Sequence, residues 1–335
     1  MQFGLGIPTC REGRTYPCGF ADLPQIAVLA RDAEQFGFDS LWANDHLATQ
    51  RAVLAEQSDP ANFYEPLITF AYLAGRTTRI RFVVATIVAP LRQPVLLAKQ
   101  AATLDRVSQG RFVLGLGIGA NREEFEIAGN PPPKANRGRM MDEMVDALRL
   151  LFERDRAAFA GEYYRFEEIA MHPKPVQSPM PIYLGATAPE GIRRVARVAD
   201  GWIVSSASPE KMREGIGVLR EAIAEAGREP AAVQTCVQLW VSIGETEADA
   251  RSVLDSSIHF AQMCARRPEM SADEHARAFA SHDLLGSPDQ ISERIHAYAD
   301  AGVDHVGLIL LARDMDELSR SARLLGEAVI SRYRA

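Results

Sequence analysis

The amino-acid sequence predicts an α/β fold, a (β/α)8 TIM barrel with insertions after strand 4 and between strands 7 and 8. Eight short apolar segments alternate with amphipathic helical segments along the 335 residues. The strand segments are apolar almost throughout, which is typical of parallel strands that are covered on both faces. No Ser/Gly linker or charge block divides the chain, so residues 1–335 are predicted to form a single domain.

The first half of the chain supplies four of the strands. They are predicted at 2–8, 40–44, 79–88 and 111–116, with helices at 22–36, 66–74 and 94–107. The third strand, RIRFVVATIV, is rich in the β-branched residues that favour strands. The first helix has apolar residues at helical spacing and is followed by Gly37, which is typical of a helix C-terminus.

The second half continues the alternation. Strands are predicted at 181–184, 201–204, 233–243 and 303–311, and helices at 190–199, 209–226, 245–266 and 288–302. Two longer stretches interrupt this order. The first, 120–180, is predicted to hold a helix at 137–152 and a hairpin around Gly161, and the second, 267–286, an irregular loop over one end of the barrel.

The composition argues against several classes of function. With 37 Lys+Arg against 44 Asp+Glu the formal net charge is −7, which disfavours a nucleic-acid partner. No apolar run approaches the roughly 18 residues of a membrane span, and the N-terminus lacks the features of a secretion signal. The cysteines and histidines show no metal-ligand spacing, so reduced thiols and no metal site are predicted. These features predict a soluble, cytoplasmic protein.

Asp45 and His46 come directly after the second predicted strand. In this fold the catalytic residues gather at the carboxyl ends of the strands. A histidine there can exchange protons near neutral pH, although it can also be a hydrogen-bonded residue of the barrel rim. Because neighbours on an extended strand point to opposite faces, Asp45 is not expected to orient His46, and two separate roles are predicted.

Two further strand exits carry glycine. Gly117 and Gly119, in the GLGIG segment after the fourth strand, let the backbone approach a ligand. A dinucleotide-binding motif is rejected because no helix opens at once and the chain instead runs through prolines 131–133. The segment Gly185, Ala186, Thr187 precedes a helix, where it predicts either a phosphate site or a plain N-cap.

Several long strings occur together in this chain. They are FDSLW (38–42) leading to DH (45–46), TRIR (78–81), PVLLAKQAATLD (94–105), GRFVLGLG (110–117), REEF (122–125), PKPVQ (173–177) and ADGW (199–202). Together they resemble the bacterial luciferase-like flavin-dependent oxidoreductases over nearly the whole chain. The resemblance implies a (β/α)8 barrel, usually a homodimer, that holds a flavin or deazaflavin at the carboxyl end of the barrel.

The DH, REEF and DGW strings are more similar to the branch that uses the deazaflavin coenzyme F420. This resemblance implies that Asp45 and His46 lie beside the ring, with His46 as the acid/base. It also places Thr86-Ile87 at a non-prolyl cis peptide bulged against the ring. The residues that it assigns to the phosphate and tail of the cofactor are Gly117, Gly119, Gly185, Ala186 and Thr187.

The chain departs from the F420 branch at two kinds of position. Ala120 stands where sugar-phosphate dehydrogenases carry a glutamate, and Gln50 and Arg51 stand where they carry a tryptophan. The loop at 185–187 lacks a glycine pair and is more similar to FMN-dependent relatives.

Three hypotheses follow from these similarities. The favoured one is hydride transfer between F420 and a small organic substrate, with the direction of transfer and the substrate left open. The second is an FMN-dependent two-component monooxygenase served by a separate reductase. The third is a flavin-binding protein without catalysis, in which cofactor binding would be indifferent to His46→Ala.

Overall fold

The computed structural model describes residues 1–56, 59–129 and 135–334. Its strands are β1 (Gln2–Gly6), β2 (Ser40–Ala43), β3 (Arg81–Val84), β4 (Ile87–Val88), β5 (Phe112–Gly117), β6 (Ala157–Ala160), β7 (Arg165–Ile169), β8 (Ile182–Gly185), β9 (Gly201–Ser205), β10 (Gln234–Ile243), β11 (Leu284–Gly286) and β12 (His305–Leu310). Its helices are α1 (Leu23–Gln35), α2 (Arg51–Glu56), α3 (Pro66–Ala74), α4 (Pro94–Val107), α5 (Arg122–Ala128), α6 (Arg137–Glu153), α7 (Pro189–Val198), α8 (Pro209–Glu225), α9 (Glu247–Ser256), α10 (Ile258–Arg266), α11 (Ala272–His282), α12 (Pro288–Asp300) and α13 (Met315–Ala328).

The described strands close into a parallel barrel. Its order is β1-β2-β3-β5-β8-β9-β10-β12, and β12 pairs back onto β1. Strand β4 continues β3 after a short break and pairs with β5, while β11 adds to the carboxyl end of β10. The strands β6 and β7 form a separate antiparallel hairpin around Gly161. The predicted (β/α)8 barrel, its eight strand positions and the hairpin are confirmed.

Two predicted segments differ from the structure. The single helix predicted at 245–266 is two helices, α9 and α10, because Ser257 ends the first and caps the second. The irregular loop predicted at 267–286 is wrong, since α11 and β11 occupy most of it and bury Phe279 and Leu284 in the core. Helices α2, α5 and α13 were not predicted.

Helix α6 belongs to the ring of helices around the barrel, because it packs against α4 on one side and α7 on the other. The insertion predicted at 120–180 therefore consists of the segment before α6 and the β6–β7 hairpin after it. The proline run at 131–133 lies outside the described residues.

Trp42 fills the interior of the barrel. It is fully buried and packs against Gly4 and Gly307. A Cβ added to Gly4 would lie 2.1 Å from the indole, and one added to Gly307 would lie 2.7 Å from it. The indole Nε1 donates to Ser40 Oγ at 2.8 Å, and that hydroxyl also contacts His305 Nε2 at 2.8 Å. These residues fill the barrel interior next to the amino ends of β2 and β12.

The described residues contain neither a helix long and apolar enough to cross a membrane nor a cluster of three or more His, Cys, Asp or Glu that could hold a metal ion. The four cysteines are free thiols.

Asp283 connects three elements above the barrel. Its carboxylate accepts a hydrogen bond from the Trp240 backbone N–H at 2.9 Å and another from Ser206 Oγ at 2.9 Å. The residue is only 2% exposed. Burial raises the pKa of Asp283 from 3.8 to about 7, although these two hydrogen bonds oppose the rise.

This pKa predicts how stability depends on pH. Because the pKa of Asp283 is raised in the folded state, the protonated side chain stabilises the fold. This stabilisation is fully present below about pH 4 and is lost as the pH rises through about 7. We expect Asp283→Asn to become more stable relative to wild type by about 2 kcal/mol between pH 5 and pH 8. Urea unfolding of both proteins at the two pH values measures this difference. Asp300→Asn, at an exposed position, is the control. If the difference in unfolding free energy between Asp283→Asn and wild type is the same at both pH values, as expected for the control, the prediction is wrong.

Candidate active site

A cleft of about 1130 Å³ opens at the carboxyl ends of the barrel strands. Parts of five segments form most of its wall: 44–46, 85–88, 117–124, 136–139 and 185–191. The remaining lining residues are Arg14, Gln50, Arg194, Ile203, Ser205 and Gln238. The predicted site residues that line it are Asp45, His46, Thr86, Gly117, Gly119, Gly185, Ala186 and Thr187. Ile87 is the exception, because its side chain is fully buried in the core around the barrel. The roles assigned to these residues stay predictions.

His46 is fixed by a buried carboxylate from the insertion. Its Nδ1 lies 3.1 Å from Glu124 Oε1, and the same oxygen accepts the backbone N–H of Leu47 at 2.8 Å. The Glu124 side chain is 2% exposed and that of His46 is 27% exposed. Helix α5, which begins after the Asn121 cap, carries Glu124 to this position.

The electrostatics of the pair follow from these contacts. Burial acts to raise the pKa of Glu124, but the hydrogen bonds from His46 and Leu47 and the charge of Arg92 outweigh it, so the pKa is lowered. An ionised Glu124 accepts a proton-bearing Nδ1, which leaves Nε2 of His46 as the nitrogen with a free lone pair. The ring is therefore held in the tautomer that can take up a proton at Nε2.

Asp45 has different partners. Its two oxygens each accept a hydrogen bond from Arg92 at 2.8 Å, and one also accepts the Val88 backbone N–H at 3.0 Å. Burial raises the pKa of Asp45, with Arg92 and the Val88 N–H acting against it. Asp45 and His46 thus have separate partners, as their alternation along the strand predicts.

The barrel wall breaks next to Asp45. The peptide bond between Ala85 and Thr86 is cis, one bond earlier than the resemblance implies. The Ala85 carbonyl accepts a hydrogen bond from Asn44 Nδ2 at 2.8 Å. The Thr86 side chain lies so close to β5 that a Cβ on Gly117 would come within 2.3 Å of its Oγ1. The glycine is required there because a side chain would displace Thr86 from the cleft wall.

The turn at 185–187 forms the far side of the cleft. The Ala186 carbonyl accepts the indole N–H of Trp202 at 2.8 Å, which fixes the turn to β9. Helix α7 begins after Ala188 with no side-chain cap, so Thr187 is not a plain N-cap. The N–H groups of the first turn of α7 therefore have no acceptor from the N-cap side chain, and Glu190 and Gly191 of that turn line the cleft.

A second cavity of about 250 Å³ joins the cleft. The described residues that line both spaces are Arg14, Asn44, His46, Ser205 and Gln238. His46 therefore lies at the junction of a long cleft and a small side chamber. This arrangement suits a cofactor in the cleft and a small substrate in the chamber.

Sequence analysis missed two parts of this site. In the sequence, Glu124 appears only as part of the REEF string, and Arg92 belongs to none of the motifs described above. Neither has a local pattern that links it to the DH pair, because they lie 78 and 47 residues away from His46 and Asp45. The cap at Asn121 was the available signal, since it predicts that a helix starts at 122 and turns one acidic residue inward.

The chain is similar to several known proteins over most of its length. An F420-dependent glucose-6-phosphate dehydrogenase of Nakamurella multipartita is 29% identical over 328 residues, covering 93% of each chain. The solved monooxygenase RslO1 of Streptomyces bottropensis superposes with a TM-score of 0.82 at 22% identity, covering 99% of this chain and 100% of that one. An F420-dependent secondary alcohol dehydrogenase, solved with an F420–acetone adduct, gives 0.78 at 20% identity and covers 98% of both chains.

At those identities the two solved structures establish the fold alone. The family is established by sequence, because the model of the luciferase-like monooxygenases matches residues 1–305. This match confirms the resemblance drawn from the motif strings. The chain therefore belongs to the luciferase-like monooxygenase family.

Proposed function

We propose that this protein is an oxidoreductase that transfers a hydride between coenzyme F420 and a small organic substrate, with His46 as the acid/base. The observation that carries the proposal is the His46–Glu124 pair at the junction of the cleft and the side chamber. A histidine in a fixed tautomer at that point can serve a substrate that lies against a cofactor ring.

The cleft fits a deazaflavin. Gly117 and Gly185 leave the wall beside Thr86 flat enough for a ring, since a Cβ on either glycine would contact that side chain at 2.3 Å and 3.3 Å. Beyond the glycines the wall carries Arg139 and Arg194, which form ion pairs with Glu162 and Asp142 at 2.8 Å. Their remaining N–H groups can donate to the phosphate and the anionic tail of F420. When bound, F420 supplies a ring carbon that accepts or donates a hydride.

The protein's own residues would handle the proton. With an alcohol substrate, whose adjacent carbon would give up the hydride, His46 Nε2 would take up the hydroxyl proton. In the opposite direction, protonated His46 gives that proton to the carbonyl oxygen. Glu124 supports both directions, because its negative charge stabilises the protonated imidazole.

The similarity to named dehydrogenases supports this choice. The Nakamurella relative is an F420-dependent dehydrogenase, and a solved neighbour acts on secondary alcohols with F420. Ala120 and Gln50 line the cleft where sugar-phosphate dehydrogenases carry a glutamate and a tryptophan. We therefore propose an alcohol or carbonyl substrate other than a sugar phosphate.

One observation favours the second candidate, an FMN-dependent monooxygenase. The uncapped first turn of α7 beside Thr187 suits a single terminal phosphate, such as that of FMN. The structural similarity to a monooxygenase agrees with that choice. This candidate would need a separate reductase to supply reduced FMN.

A substrate panel distinguishes the two candidates. Alcohols, hydroxy acids and carbonyl compounds are added anaerobically to the protein with oxidised or reduced F420, and the cofactor absorbance is followed. The same panel is added in air with reduced FMN, and oxygen uptake is measured. We expect at least one compound to change the F420 absorbance, and no compound to raise oxygen uptake above that of free FMN. Compound-dependent oxygen uptake without any F420 turnover would overturn the proposal.

A further inference from the structure

The side chamber next to His46 is lined by three arginines, and we call it the arginine chamber. Arg11 and Arg14 follow β1, and Arg266 ends α10. The other residues of the wall that carry the argument are Gln238, Trp240 and His259. No aspartate or glutamate lines this chamber among the described residues.

The arginines have no ionic partners. Arg11 is 8% exposed, and its guanidinium donates only to uncharged side chains, Asn44 Oδ1 at 2.5 Å and Gln238 Oε1 at 3.4 Å. Within the described part of the chain, Arg14 and Arg266 form no ion pair. Arg11 is buried, Arg14 is half-buried and Arg266 is exposed at the mouth. A buried cation such as Arg11 is costly without a counterion, which makes an anionic ligand the simplest way to balance its charge.

Buried donors in the same wall also lack acceptors. Arg11 Nε, Gln238 Nε2 and Trp240 Nε1 are buried and make no hydrogen bond to any residue that the structure describes. Polar atoms this deeply buried are almost always hydrogen-bonded in native proteins. All three are donors, so the partner that they lack is an acceptor such as an oxyanion.

The local field agrees with this interpretation. His259 stacks on Trp240 with ring centroids 4.8 Å apart. Burial, together with the charges of Arg11, Arg266 and Arg14, lowers the pKa of His259 to about 4. Two carboxylates of the described chain contact residues of the wall, and both already have partners: Glu124 is bound to His46, and Asp283 accepts the Trp240 backbone N–H and the Ser206 hydroxyl. The net charge that faces the chamber is therefore positive at neutral pH.

We propose that the arginine chamber binds an oxyanion on the substrate, a carboxylate or a phosphate, and so selects substrates that carry such a group near the reacting carbon. This inference rests on the proposed function, because it assigns the cofactor to the cleft and the substrate to the chamber. His46 joins the two spaces, so a substrate anchored by its anion in the chamber would present its reacting carbon at the junction. The arginines thereby act as specificity-determining residues.

The test uses the protein saturated with F420, so that the cofactor's own phosphate and carboxylates are already bound. Acetate and inorganic phosphate are the probes, titrated calorimetrically at constant ionic strength. The variant is the double substitution Arg14→Gln/Arg266→Gln. The control is Arg267→Gln, which removes an exposed charge next to Arg266 that does not line the chamber.

We expect at least one probe to bind, and the double variant to weaken that binding at least about tenfold while Arg267→Gln changes it less than about twofold. Whether acetate or phosphate binds tighter identifies the kind of oxyanion. Failure of both probes to bind, or equal weakening by the control, would overturn the inference.

The same titration in protein without cofactor separates the two proposals. If F420 binds but neither anion does, the chamber inference fails and the proposed function stands. If F420 does not bind, the proposed function fails, while arginine-dependent anion binding to the free protein would still support the chamber as an anion site.

Discussion

Substituting His46 by asparagine is expected to lower kcat/KM for F420-coupled turnover by about 10²–10⁴-fold. Asparagine can still donate an amide N–H to Glu124, which lies 3.1 Å from Nδ1 of the histidine, but it cannot exchange a proton with substrate. The loss would therefore report the acid/base role rather than a collapse of the site. Anaerobic steady-state turnover of wild type and variant measures it.

Two further measurements distinguish a catalytic role of His46 from a role in binding the cofactor or in holding the barrel rim together. F420 affinity should change less than about threefold in His46→Asn, because the cofactor is assigned to the glycine-lined wall. Glu124→Gln should lower kcat with little change in F420 affinity, since glutamine keeps the shape but not the charge behind His46. If His46→Asn retains more than half of the wild-type turnover, His46 is a residue of the barrel rim and the mechanism is wrong.

The largest expected effect on stability comes from Gly115→Ala. Gly115 lies in β5, where a Cβ would stand 1.9 Å from the Val84 carbonyl oxygen. That atom belongs to the backbone of β3 and cannot rotate away, so the two strands would have to separate. We expect a loss of about 3 kcal/mol or more in the free energy of unfolding, measured by urea denaturation.

Gly217→Ala is the matched control for that substitution. Gly217 lies on the exposed face of α8 and an added Cβ would meet no atom within 4 Å. Replacing a helical glycine by alanine there should stabilise the protein by about 0.5–1 kcal/mol. Opposite signs for the two alanines would support the strand packing described above. A Gly115→Ala protein as stable as wild type would contradict it.

The sequence predicted the barrel well because its strands are local apolar patterns with helices between them. The sequence did not predict the helix in 267–286, because most residues of α11 are polar or alanine. Its one large apolar residue, Phe279, is fully buried. Sequence analysis also missed the division of 245–266, where Ser257 acts as a cap between two helices. Such features depend on where a short helix packs, which a local pattern does not specify.

The candidate site likewise contains residues that the sequence predicts and residues that it does not. The glycines, the DH pair and the turn at 185–187 can be found in the sequence because they follow predicted strands. The structure brings Gly117, Gly119, the DH pair and this turn to one cleft, whereas Ile87 is buried in the core. The partners Glu124 and Arg92 are not visible, since only closure of the barrel places them beside the DH pair. The arginine chamber is a further case, because Arg11 and Arg266 are 255 residues apart in the sequence.

The measurement that tests the hydride-transfer account most directly is an anaerobic titration of the purified protein with oxidised F420 and, separately, with reduced FMN. The account predicts micromolar or tighter binding of F420 and binding of FMN that is weaker by at least about tenfold. Gly117→Ala should weaken F420 binding, because its Cβ would lie 2.3 Å from Thr86 Oγ1 in the cleft wall. Preferential binding of FMN, unaffected by Gly117→Ala, would contradict the account and favour oxygen chemistry instead.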